Sequence, residues 1–105
     1  MTPVIIQITV KDEEEAEKIK SELFTKQLVA CIQEYKIKSS YPWKGNLESS
    51  EEILLSIKTF RKLILKIEKI ISRLHSYETP QFICYKLDYV TRKYKRWMKE
   101  ATRQV

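Results

Sequence analysis

The sequence predicts an α+β fold of order βαββαβ with one further helix at the C-terminus. Three observations carry that expectation: four stretches of strand character, three segments with apolar residues at helical spacing, and the order in which they alternate along 105 residues. One domain is expected at this length, and 43% hydrophobic with 32% charged residues is the balance of a globular chain.

Residues Val4 to Val10 form a β-branched run closed by Lys11 and Asp12, which marks the first strand. Asp12 is placed to N-cap a helix, with Glu15 three residues on as in a capping box. Ala16, Ile19, Leu23 and Phe24 then recur on one helical face. Leu28 to about Ser40 is extended in character. Tyr41-Pro42-Trp43-Lys44-Gly45-Asn46 follows as a hairpin-like loop, punctuated by Pro42 and the chain's sole glycine. Ile53 to Phe60 reads as the third strand. Leu63, Ile67, Ile70, Ile71 and Leu74 form a second amphipathic stripe ending at His75, and the fourth strand runs from about Gln81 to Leu87. Val90, Tyr94, Trp97, Met98 and Ala101 give the last helix an apolar stripe on which Trp97 is expected to anchor a core or an interface. Arg92, Lys93, Lys95, Arg96, Lys99 and Arg103 crowd the same segment.

That order is the split βαβ of a ferredoxin-like sandwich, with two helices on one face of a mainly antiparallel sheet. Val4, Ile6, Ile8 and Val10, with Ile53, Leu55 and Ile57, form a purely apolar face. The opposite face mixes Ile5, Leu54 and Phe60 with Gln7, Thr9, Ser56 and Lys58, and it gains Val29, Tyr35 and Ile37 from the second strand. A face this apolar needs cover. A homo-oligomer burying it is expected; the alternative is a third helix folded back over it within one chain.

No apolar run approaches the roughly 20 residues of a membrane-spanning helix, and no basic segment precedes an apolar run near Met1, so neither a membrane partner nor a signal peptide is expected. Cys31 and Cys84 lack both a C-x-x-C spacing and a disulfide framework, which points to reduced thiols and a cytoplasmic protein. A net charge of +6 favours anionic partners in general, although a basic helix face can equally be a solvated one. An RNA-recognition domain shares the βαββαβ order, yet Ile53 to Phe60 has no glycine and one aromatic where its RNA-binding strand requires more of both; nucleic acid is therefore not an expected partner. Catalysis is not expected either: there is no Ser-His-Asp arrangement, no phosphate-cradling glycine loop and no second histidine.

Five motifs in order and at matching spacing make the chain similar to the CutA family of divalent-cation tolerance proteins. Leu28-Val29-Ala30-Cys31-Ile32 resembles the family's Leu-x-Ala-Cys-Val strand, and Tyr41-Pro42-Trp43-Lys44-Gly45 its Tyr-x-Trp-x-Gly loop. Lys58-Thr59 resembles the Lys-Thr closing strand three, and His75-Ser76-Tyr77-Glu78-Thr79-Pro80 its His-Pro-Tyr-Glu-x-Pro. Tyr94-Lys95-Arg96-Trp97 resembles the Tyr-x-x-Trp of the last helix. Ser76 and Gln33 depart from that pattern, as does the shorter turn before Tyr41. The resemblance implies a compact homotrimer packed through its sheets, and a likeness in fold to PII signalling trimers, which hold small ligands between subunits.

Candidate site residues fall in two groups. His75, Cys31 and Glu78 offer imidazole, thiolate and carboxylate, a donor set suited to copper or another divalent cation, although His75 reads equally well as a helix C-terminal residue and Cys31 as a small core residue. Lys58, Tyr41, Trp43 and Tyr77 would meet with Glu78 in a ligand cleft at a subunit junction if the family pattern holds. The expected function is a trimeric, non-catalytic divalent-metal, and specifically copper, binding protein of metal tolerance, with no ion needed for folding. The alternative is a PII-like sensor of an anionic ligand near Lys58.

Overall fold

The computed structural model describes residues 1–102; Arg103, expected in the basic cluster, lies outside the described residues. Four strands, β1 (Pro3–Val10), β2 (Cys31–Trp43), β3 (Asn46–Phe60) and β4 (Phe82–Lys86), form one antiparallel sheet in the order β2-β3-β1-β4. Helices α1 (Glu13–Thr25), α2 (Ile64–Leu74, entered through a 3-10 turn at Arg61–Leu63) and α3 (Arg92–Ala101) complete the fold.

The N-cap expected at Asp12 is present, but the reciprocal half of the capping box is shifted by one residue. Asp12 Oδ1 accepts from the Glu15 amide at 2.9 Å, whereas Glu15 Oε1 accepts from the Lys11 amide at 3.0 Å and not from that of Asp12. At the other end of α1, Gln27 takes a left-handed conformation (φ 55°). The amides of Gln27 and Leu28 then return to the carbonyls of Phe24 and Leu23, which closes the helix in a Schellman motif without the usual glycine.

The purely apolar face of the sheet is the core. Ile6, Ile8, Val10, Leu55 and Ile57 pack with Ala16, Ile19 and Leu23 of α1 and Ile67, Ile70 and Ile71 of α2. Phe24 departs from expectation: it falls at the margin of the stripe and is exposed. Val29, assigned above to the mixed face, belongs to this core.

On the mixed face the register aligns Cys31, Gln33 and Tyr35 of β2 with Lys58, Ser56 and Leu54 of β3, and these with Ile5, Gln7 and Thr9 of β1. Tyr85 and Ile83 of β4 stand beside Ile5 and Gln7. α3 covers one end, where Met98 packs with Phe60 and Ala30. The third helix thus supplies part of the cover within the chain, while Tyr35, Ile83 and Tyr85 remain about half exposed. Trp97 is not a core residue of the protomer: α3 buries Met98, and Trp97 stays 46% exposed, tilted against Tyr94 at 5.3 Å between ring centroids.

Candidate functional site

Strands β2 and β3 continue well past the sheet as a two-stranded arm, because their pairing runs unbroken to Trp43↔Asn46. Lys44 (φ 50°) and Gly45 (φ 83°) are the two central residues of the turn; both take positive φ, which matches the twist of a tight hairpin. Tyr41, Pro42 and Trp43 are therefore strand residues, and the expected six-residue loop contracts to a two-residue turn. Glu48, Ser50 and Glu52, which lie before the expected start of the third strand, join β3.

Where the arm leaves the sheet, it meets the segment after α2. Tyr41, Trp43, Glu48 and Glu52 of the arm face Tyr77, Glu78, Thr79 and Gln81 across a cleft of about 620 Å³ that also takes in Thr9, Ser39 and Ser40. Tyr77 donates its phenolic hydrogen to Glu52 Oε2 at 2.7 Å. Burial and then this bond push the Tyr77 phenol far above the usual tyrosine range, so it remains a donor. Tyr41 and Ser50 share a second hydroxyl contact at 3.2 Å.

His75 is the C-cap of α2 and its side chain is fully buried. Its Nδ1 accepts from the Tyr77 amide at 3.1 Å, and its Nε2 lies 2.7 Å from the Thr9 carbonyl. Since Nδ1 is an acceptor, Nε2 carries the hydrogen and donates. Both ring nitrogens are occupied, so the ring is the strut that joins β1, α2 and the cleft-lining segment. Glu15 closes the network by accepting from the Ser76 amide at 2.8 Å, with His75 Nδ1 at 4.0 Å. Burial raises the Glu15 pKa, but the hydrogen bonds from the Lys11 amide and from Ser76 outweigh it and hold the carboxyl below the usual range.

The two predicted groups are thereby re-sorted. Tyr41, Trp43, Tyr77 and Glu78 do meet in one cleft, joined by Glu48 and Glu52. Within the protomer Lys58 stands apart from them: it is paired with Cys31 and Ile5 across the sheet, whereas Thr9, on the cleft, is four residues along β1 from Ile5, roughly 13 Å at strand rise. Lys58 Nζ donates instead to Gln33 Oε1 at 2.8 Å and lies 5.9 Å from the Tyr94 ring centroid. Cys31 shares that distant end, so His75, Cys31 and Glu78 do not form one donor set within a protomer.

Carboxylates, a phenol and hydroxyls are hard oxygen donors, and the cleft therefore fits a divalent cation chemically. The donors are not drawn into a tight cluster, however. Among the described residues, three carboxylates converge within 4.8 Å only at Glu13, Glu17 and Glu34, and Lys20 forms ion pairs with Glu17 and Glu34 there.

Comparison with known proteins agrees with this architecture. The family described as "CutA1 divalent ion tolerance protein" matches residues 4–101. The divalent-cation tolerance protein CutA of Thermotoga maritima is 31% identical over 98 residues, covering 93% of this chain and 97% of that one. The namesake of Pyrococcus horikoshii is 31% identical over 96% of this chain and 99% of its own. Among solved structures, CutA1 from Oryza sativa superposes with a TM-score of 0.95 at 26% identity, over 100% of this chain and 97% of that one. A periplasmic divalent cation tolerance protein CutA from Archaeoglobus fulgidus superposes with a TM-score of 0.92 at 29% identity, over 95% and 98%.

Proposed function

The chain belongs to the CutA1 family of divalent ion tolerance proteins, and on that premise we propose that it is a non-catalytic homotrimer that takes up a divalent cation, copper(II) among them, at the acidic cleft. The observation that carries this reading is that Glu48, Glu52 and Glu78 line one cleft with Tyr77, whose hydroxyl holds Glu52, where the hairpin arm meets the post-α2 segment. Copper(II) accepts oxygen donors, whereas copper(I) would prefer the thiolate of Cys31 at the far end of the sheet. The cleft is open, so ion binding calls for closure of the carboxylates or for donors from a second subunit. The strand order with α1 and α2 on one face supports a ferredoxin-like protomer, and the half-exposed Tyr35, Ile83 and Tyr85 support association through the sheet. A PII-like anion sensor is the weaker reading, because Lys58 is remote from a cleft whose own charges are negative.

Calorimetric titration with copper(II), alongside sedimentation analysis, tests the proposal. Wild-type protein should sediment as a trimer and bind the ion, and the Glu52→Gln/Glu78→Gln variant should lose at least tenfold in affinity while Cys31→Ser does not. A monomer, or equal affinity in wild type and the double variant, would overturn it.

A further inference from the structure

On the opposite side of the fold from the mixed sheet face, α1 and α2 border an open, shallow concavity of about 620 Å³, lined by Lys26, Leu28, Lys66, Lys69, Ile70 and Arg73. Lys66, Lys69 and Arg73 are spaced three and four residues apart, so they form one stripe along α2. Lys26 arrives from the C-cap of α1, where the left-handed Gln27 turns the chain back towards Leu28. Glu22 faces these cations with one carboxylate, 3.2 Å from Arg73 and 3.6 Å from Lys26. Among the described residues, Lys66 and Lys69 have no carboxylate within 4.0 Å. Four positive side chains around one concavity, with a single negative one among them, repel one another in the free protein. The nearly buried Leu28 and Ile70 and the methylene stems of the lysines form an apolar lining, which strengthens the field felt by an anion lying between the charged heads.

We propose that this groove is a binding site for a compact polyanion of the phosphate class, carrying at least two negative charges beyond the one that Glu22 already supplies. Lysine and arginine together suit such a ligand: ammonium groups act as mobile point charges, and the Arg73 guanidinium can exchange its bond to Glu22 for a bidentate one to phosphate. The groove lies on the helix layer, so association through the sheet leaves it open, and its occupation does not depend on the acidic cleft.

Titration of the full-length chain with sodium tripolyphosphate, in metal-free buffer at fixed ionic strength, is the decisive experiment. Lys66→Glu/Lys69→Glu should weaken binding at least tenfold, whereas Lys93→Glu/Lys95→Glu, the same charge change on α3, should leave it within about twofold. Inorganic phosphate should bind far more weakly than tripolyphosphate, and ATP comparably to it, which separates a triphosphate site from a single-anion one. The proposal fails if the wild type does not bind at millimolar ligand. It also fails if both variants lose affinity equally, because net charge alone then accounts for binding. It fails too if a single-stranded RNA oligomer binds more tightly than tripolyphosphate and is weakened by both variants alike. Circular dichroism of each variant confirms that the surface changes leave the fold intact.

Discussion

The Nε2 of His75 donates to the carbonyl of Thr9 across 2.7 Å and so ties the end of α2 to β1. The same ring receives the Tyr77 amide, and with it the first step of the segment that lines the cleft. His75→Ala leaves a buried carbonyl and an amide without partners and empties a buried volume, and each loss costs roughly 1–3 kcal/mol. Urea unfolding should show a loss of about 2–4 kcal/mol. A loss below 1 kcal/mol would mean that the ring is not the strut described.

Glu15 predicts an acid dependence. Its pKa in the fold lies below that of an ordinary glutamate, so it stabilises the protein fully above the unfolded value and progressively less as pH falls through the folded one. Thermal unfolding between neutral pH and pH 3 should therefore show a steeper acid loss in the wild type than in Glu15→Gln, whose amide cannot bear the charge that the Lys11 and Ser76 amides favour. Parallel profiles for the two proteins would remove Glu15 from the network.

Much of the fold was legible because local and global preferences agree. The alternating β1 and β3 residues, the Asp12 cap and the α2 stripe each point to one structure. The Lys58-Thr59 motif was legible only as a motif; its physical content is that the buried Thr59 hydroxyl donates to the Leu28 carbonyl at 2.6 Å, a pairing 31 residues apart that spacing does not reveal. The cleft was legible in Tyr41, Trp43, Tyr77 and Glu78, whereas Glu48 and Glu52 were missed because Ser49 to Glu52 lacks β-branched residues and its pairing with β2 fixes the strand instead. The signal that would have found them is the Lys44-Gly45 pair, which as a two-residue turn sets the register of everything beside it. Cys31 was grouped with His75 and Glu78 by donor type, and Lys58 with the cleft residues by the family pattern; the register, a long-range property, sets both at the other end of the protomer's sheet.

Gln27 offers a gain in stability. A side chain held at φ 55° carries the steric cost of the left-handed region, roughly 1–2 kcal/mol, which glycine avoids. Gln27→Gly keeps the Schellman hydrogen bonds, which are made by the backbone, and should stabilise the protein by about 0.5–1 kcal/mol after its greater unfolded-state entropy is counted. Calorimetry should show Tm rising by a few degrees. A fall in Tm would show that the Gln27 side chain stabilises the turn more than its conformation costs.

Tyr77 separates positioning of the cleft from its donor chemistry. The hydroxyl holds Glu52 from one side at 2.7 Å, and the phenylalanine variant removes that bond while leaving the ring, the carboxylate and the cleft wall in place. Tyr77→Phe should lower stability at neutral pH by about 1.5 kcal/mol, the lower end of the usual worth of a bond to a charged acceptor because the site is only partly buried. Because the phenol is pushed up in the fold, the wild type should lose stability as pH rises above the ordinary tyrosine range, where unfolding releases a proton; the variant should lack that component. If Tyr77 positions Glu52 for a cation, copper(II) affinity should fall several-fold in Tyr77→Phe and further in Glu52→Gln. Unchanged affinity in Tyr77→Phe, with the stability loss present, would confine the Tyr77 hydroxyl to a structural role.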